Sequence, residues 1–193
     1  MEKHIVVIKG DGIGPEIVTE AMKVMTKTAE KFGHTFHFEE VDAGGCAIDK
    51  YGECLPQESL EKCLKADSVL LGAVGGPKWE QVDKNNRPEK ALLRIRSAMG
   101  LYANLRPAKI FSQLSHSSPL KQEIVEKGID FVIVRELIGG IYFGAHETVT
   151  KQGEKRATDL MAYSEQEIER IGRTAFETAR KRGSRVISVD KAN

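Results

Sequence analysis

The sequence predicts an α/β fold with a mostly parallel sheet, and three observations carry that prediction. His4–Lys9, Phe36–Val41, Ser68–Val74, Ala108–Phe111, Asp130–Glu136 and Arg185–Val189 have the length and residue content of strands. Stretches of helical period, 15–33, 57–64 and 164–183, alternate with them. Ser68–Val74 (SVLLGAV) and Asp130–Glu136 (DFVIVRE) are nearly all apolar, as expected of strands covered on both faces of a parallel sheet.

His4–Lys9 ends at Gly10-Asp11-Gly12-Ile13-Gly14-Pro15. The next run repeats Ile17, Ala21, Val24, Met25 and Thr28 on one face, carries Pro15 in its first turn and stops at Gly33. Strand, glycine turn and helix follow. The turn reads Gly-x-Gly-x-Gly, and Pro15 removes an amide that could reach a phosphate, so it is not a Rossmann phosphate loop. Phe36–Val41 alternates as a second strand, Gly44 and Gly45 open a loop reaching Pro56, and Gln57–Leu64 is helical. Ser68–Val74 runs into Gly75-Gly76-Pro77-Lys78-Trp79 and a polar loop, 81–89. A buried strand followed by two glycines lets a backbone approach a ligand closely at the carboxyl end of a sheet. A tight turn anchored by Trp79 accounts for the same residues.

Pro88–Pro107 (PEKALLRIRSAMGLYANLRP) sets Leu92 and Leu93 beside Glu89, Arg94, Arg96 and Arg106. Guanidinium matches carboxylate or phosphate bidentately and keeps its charge at any working pH. The run suits a ligand that is part hydrocarbon and part anion; a solvated amphipathic helix is the alternative. Arg135, near the end of an apolar strand, calls for an anionic partner, either an internal carboxylate or a ligand. The serine-rich segment around His116 carries no catalytic signal. Residues 137–163 are glycine-rich and then alternating, a pattern of a projecting hairpin or arm. Ser164 and Glu167 form a capping box for a helix with Ile168, Ile171, Ala175, Phe176 and Ala179 on its apolar face, closed by Gly183. Arg185–Val189 is the last strand. The one plausible domain boundary lies near Met99–Leu105, giving 1–99 and 100–193.

Composition excludes several classes. The 29 Lys plus Arg nearly balance 28 Asp plus Glu, which gives no reason to expect nucleic acid or a membrane surface as partner. No apolar run approaches the ~20 residues of a membrane span, and the amino terminus lacks a signal-peptide pattern. Cys46, Cys54 and Cys63 are odd in number and lack metal-ligand spacing, so they read as free thiols. A soluble, cytoplasmic protein is expected.

Five segments then act together: GDGIGPEI (10–17), LLGAVGGPKW (70–79), LLRIR with LYANLRPAKI (92–110), VRELIGGIYFG (134–144) and SVDKAN (188–193). On these, the chain resembles the N-terminal half of the 3-isopropylmalate dehydrogenases, within the isocitrate/isopropylmalate dehydrogenase family. The resemblance implies that family's two-domain α/β sheet, distinct from a Rossmann domain. It implies oxidation of (2R,3S)-3-isopropylmalate by NAD and decarboxylation to 2-oxoisocaproate, a step in leucine biosynthesis. Arg96, Arg106 and Arg135 would hold the two substrate carboxylates, and Leu92 and Leu93 would face the isopropyl group. Members acting on isocitrate carry a polar residue near this position.

The resemblance also makes Tyr142 and Lys191 the catalytic pair. Lys191 would accept the hydroxyl proton if its pKa is lowered, and Tyr142 would protonate the enol carbon. The loop Gly76–Glu89 would contact NAD, with Gly75 just before it, Gly76, Pro77, Lys78 and Trp79 along it, and Glu89 near the nicotinamide ribose. Lys191 and Asn193 would reach the partner's site in a homodimer clasped through an arm at 145–163. A Mg²⁺ or Mn²⁺ ion would polarise the ketone intermediate, but the family's metal aspartates correspond to positions beyond Asn193, and Asp190 does not match one. The 193 residues alone are therefore expected to turn over little and to associate through uncovered apolar faces and sheet edges. Two other classes stay open: a related dehydrogenase of homoisocitrate, tartrate or malate, and a non-catalytic fragment retaining only dimerisation or substrate binding.

Overall fold

A computed structural model describes residues 1–183 and 185–190, in two units, Met1–Gly100 and Leu101–Asn193. Unit 1 is organised by β1 (Glu2–Gly10). The helix α1 (Gly14–Phe32) takes Pro15 in its first turn and ends on Gly33, whose φ of 65° is the left-handed geometry glycine adopts without strain. β2 (Thr35–Glu40) and β3 (Ser68–Ala73) pair parallel with β1 on either side, in the order β2-β1-β3. Three further helices belong to this unit: α2 (Gly45–Tyr51), α3 (Gln57–Lys65) and α4 (Pro88–Ala98).

The central strand is the buried one. Ile5, Val6, Val7 and Ile8 are all within 6 % of full burial, and alternation sends them to two sides. Ile5 and Val7 meet Val18, Met22 and Met25 of α1; Val6 and Ile8 meet Leu55, Cys63, Ala91 and Ile95. At about 1.5–3 kcal/mol for each large side chain removed from water, these clusters hold the strand between its helices. β3 is only partly buried, because it pairs with β1 along one edge and no other described strand flanks it. The two-sided burial expected of Ser68–Val74 therefore belongs to β1. Cys46, Cys54 and Cys63 are free, and burial pushes their thiols up from the usual range.

Unit 2 is built on antiparallel pairs. β4 (Ala103–Lys109) pairs with β5 (Asp130–Glu136), and β6 (His146–Lys151) with β7 (Glu154–Asp159). The short helix α5 (Gln122–Val125) precedes β5. The helix α6 (Glu165–Arg180) starts at the Ser164–Glu167 capping box, in which both reciprocal hydrogen bonds form; it is capped at Lys181, ahead of Gly183. Asp130 and Glu136 share one face of β5. Asp130 pairs with Arg182 just beyond α6, and Glu136, only 8 % exposed, pairs with Arg170 at 2.9 Å. These two pairs lay α6 across that face. The expectation of a strand buried on both sides fails for Asp130–Glu136, since α6 covers one face and Phe131 and Ile133 on the other are 49 % and 50 % exposed.

Two further expectations are corrected. Strand pairing ends at Lys109 rather than Phe111. Arg185–Val189 forms no strand with any described strand, and Val189 is 92 % exposed. A strand exists only through a neighbour's hydrogen bonds, which sequence propensity cannot supply. Lys191 and Asn193 lie outside the described residues. No helix among the described residues is long and apolar enough to cross a membrane.

Candidate functional site

In unit 1 the sequence-predicted residues meet where β1 and β3 end. The chain leaves β1 at Gly10 and places Asp11, 4 % exposed, beneath the loop that follows β3. Its amide donates to the Ala73 carbonyl at 2.6 Å. Its carboxylate accepts three backbone N–H groups at 2.7 Å, from Gly45 and Gly75 at Oδ2 and from Cys46 at Oδ1. One carboxylate thereby caps α2 and fixes the start of the glycine loop. Asp11 is the residue that sequence reasoning missed; its only signal was an acid set among glycines at a strand end.

Gly75 has a φ of 93°, and a Cβ there would lie 2.5 Å from Oε1 of Glu89. Only glycine lets the loop approach the first turn of α4 this closely. Pro77–Trp79 forms a single 3₁₀ turn. Trp79 lies flat against Gly45, and its Nε1 donates to Asp49 at 3.2 Å. Lys78 bonds the other oxygen of Asp49 at 2.5 Å, and these two donors hold that carboxyl below the usual carboxylate range. Gly76, Trp79, Arg87 and Glu89 line a cavity of about 400 Å³. Of the predicted cofactor residues, Gly76, Trp79 and Glu89 border the cavity, Gly75 abuts Glu89, and Lys78 turns away to Asp49.

On α4, Glu89, Leu92, Leu93 and Arg96 fall at i, i+3, i+4 and i+7, so they share one face, while Ala91 and Ile95 are buried on the other. Arg94 is not merely solvated: its Nη1 donates to the Leu55 carbonyl at 3.2 Å and ties α4 to the loop before α3.

The remaining predicted residues are in unit 2. In the β4–β5 register, Asn104 opposes Arg135, and Arg106 lies two residues along on the same face. Arg106 donates from Nε to Oδ1 of Asn104 at 2.6 Å. Arg135 stacks 5.5 Å from the ring centre of Tyr142, which sits in the turn Gly140–Tyr142. Two guanidiniums and a phenol thus share one exposed surface, opposite the face that α6 covers. Asn104, another residue missed from sequence, sits between the arginines. Among the described residues neither Arg106 nor Arg135 pairs with a carboxylate, so both keep hydrogen-bonding capacity for an anion.

One set of metal-ligating side chains converges among the described residues, Glu2, His4 and His37. It stands at the amino end of β1, more than about 20 Å from Asp11 at strand spacing. Two imidazoles and one carboxylate are not the oxygen-rich donor set that Mg²⁺ selects.

Gly45→Ala would drive a methyl group into the Trp79 ring. This substitution is expected to cost about 1–3 kcal/mol, with a changed Trp79 emission spectrum in the folded state. Urea unfolding followed by fluorescence checks both, and since Trp79 is the one tryptophan its signal is unambiguous.

Residues 4–193 match the family described as isocitrate/isopropylmalate dehydrogenase. The chain is 58 % identical over 193 residues to the 3-isopropylmalate dehydrogenase of Helicobacter hepaticus and 55 % identical over 192 residues to that of Clostridium pasteurianum. Each alignment covers 100 % of this chain and 54 % of the relative, so the chain spans about half the length of these proteins. Among solved structures, a β-decarboxylating dehydrogenase from Thermococcus kodakarensis superposes with a TM-score of 0.65 at 32 % identity, over 94 % of this chain and 47 % of that one. The isocitrate dehydrogenase of Methylococcus capsulatus gives 0.64 at 30 % identity, over 93 % and 48 %.

Proposed function

The chain belongs to the isocitrate/isopropylmalate dehydrogenase family, and from that premise we propose that it supplies the substrate grip and part of the cofactor site of an NAD-dependent 3-isopropylmalate dehydrogenase. The observation that carries the reading is the pairing of residue types: Leu92 and Leu93 share a helix face with Arg96, while Arg106 and Arg135 share a strand-pair face with Tyr142.

The substrate is a 2-hydroxy dicarboxylate with an apolar branch. Arg96, Arg106 and Arg135 bind its carboxylates through charge-assisted hydrogen bonds, and Asn104 orients Arg106. Leu92 and Leu93 take the isopropyl group, which favours this acid over homoisocitrate, tartrate or malate. Holding both carboxylates turns the single C2–H bond toward the cofactor. Tyr142, beside the Arg135 charge, is proposed to protonate the enol carbon after CO₂ leaves, and Lys191 is proposed as the base for the C2 hydroxyl.

NAD, when bound, accepts the hydride. The glycine loop and cavity fit it: Gly75 and Gly76 admit close approach, Trp79 offers a flat apolar wall, and Glu89 can accept a ribose hydroxyl. The catalytic divalent ion does not fit the donor set found among the described residues, and no step is assigned to it. These 193 residues alone are proposed to turn over little or not at all. A homodimer clasped through 145–163 is proposed on the hairpin β6–β7, whose residues are almost all exposed, and on the apolar face of α6, where Ile168 and Phe176 are 61 % and 64 % exposed.

The test is a fusion of residues 1–193 to the C-terminal part of the Helicobacter hepaticus relative. NADH formation from isopropylmalate, with malate and isocitrate much poorer, is the expected result. A fusion that folds and prefers malate or isocitrate would overturn the assignment.

A further inference from the structure

The amino end of the β1–β2 pair carries a cluster that the dehydrogenase reading does not use. In the parallel register His4 lies opposite His37, and Glu2 stands two residues before His4. Because strand side chains alternate, all three project from the same face. Their ligating atoms lie within 4.8 Å of one another. The imidazoles are stacked, with centroids 4.8 Å apart, and Nε2 of His37 is 2.7 Å from Oε1 of Glu2.

We propose that Glu2, His4 and His37 form a surface site for a divalent transition ion of the zinc or nickel type, with two imidazoles and one carboxylate as ligands. Tetrahedral coordination at about 2.0–2.1 Å needs donor atoms roughly 3.3 Å apart. Binding one ion through both imidazoles requires the stacked rings to turn about their χ angles until their in-plane lone pairs converge, and both side chains are exposed and free to do so. The backbone register already provides the convergence, so the ordering cost of assembling ligands is small. Lys3, next to both Glu2 and His4 in sequence, projects to the opposite face and pairs with Asp67 at 2.6 Å, so its ammonium does not compete for Glu2. Three protein donors leave a coordination position for water or a further ligand. Imidazole nitrogen favours zinc, nickel or copper over magnesium. The site clamps β2 to β1 at the end of the sheet remote from Asp11, and it stands whether or not the dehydrogenase assignment does.

Calorimetric titration of the chelator-treated chain with zinc chloride tests the proposal, alongside His4→Gln, His37→Gln and His34→Gln. The control matters because His34 Nδ1 lies 3.2 Å from the Met1 amino group, a second possible zinc donor pair. One zinc per chain is expected, with affinity at least roughly tenfold weaker in His4→Gln and His37→Gln and unchanged in His34→Gln. Magnesium chloride should give no saturable heat. On the unmutated chain, zinc should protect His4 and His37 from diethylpyrocarbonate while His116 stays reactive, a readout independent of any variant's folding. Absence of saturable zinc binding, binding unchanged by both key substitutions, or equal modification of all the histidines with and without zinc would overturn it.

Discussion

Asp11→Asn is expected to destabilise unit 1 by about 3 kcal/mol. The carboxylate accepts three backbone N–H groups while 4 % exposed, and hydrogen bonds to a charged acceptor are worth about 1.5–3 kcal/mol each. Asparagine keeps one acceptor oxygen and turns an NH₂ group toward amides that need acceptors. At least one buried donor, at Cys46, Gly45 or Gly75, is then left facing another donor. With a urea dependence of about 1–3 kcal/mol per molar, the unfolding midpoint read from Trp79 should fall by about 1–3 M. A midpoint within about 0.3 M of the parent's would show that Asp11 does not organise the loop.

Arg106→Lys and Arg135→Lys are expected to weaken isopropylmalate binding by about 2–3 kcal/mol each, or roughly 30- to 150-fold. Lysine keeps the charge but loses the planar fork that holds a carboxylate through two parallel bonds. Arg106→Lys also gives up the Nε donor to Asn104 that sets the guanidinium plane. Both side chains are exposed and neither carries an ion pair needed for folding, so circular dichroism and thermal melting should remain close to those of the parent. Calorimetry with isopropylmalate separates this from a general charge effect. Arg94→Lys, which loosens the contact to the Leu55 carbonyl, should leave affinity nearly unchanged.

How much was legible in the sequence depended on whether the deciding interaction was local. The strand, glycine turn and helix at 4–33 follow from a β-branched run, Pro15 and Gly33, all within one contiguous stretch. The capping box of α6 is likewise a four-residue pattern, and the hairpin 146–159 turns at Gln152-Gly153, both at positive φ. α2 was read as loop because its amino end is capped by Asp11, 34 positions earlier in sequence, and a seven-residue helix has little period of its own. Apolar content likewise misled for β5: a strand with one face covered by α6 and the other exposed can be as apolar as one buried on both. Of the candidate site, the arginines, leucines, Glu89 and Tyr142 were legible as residue types in recognisable segments. Asn104 and Asp11 were not, because their roles are to position other groups across strand pairs and turns.

The central proposal is that this chain grips an acid that is anionic at two points and branched and apolar at a third. The most direct measurement is calorimetric titration of the 193-residue chain with (2R,3S)-3-isopropylmalate, malate and isocitrate in the presence of NAD. Burying the isopropyl group against Leu92 and Leu93 is worth about 2 kcal/mol, so isopropylmalate should bind roughly 30-fold more tightly than malate, with isocitrate weaker still. Equal or tighter binding of malate or isocitrate, or no saturable heat with isopropylmalate from a folded chain, would contradict the account.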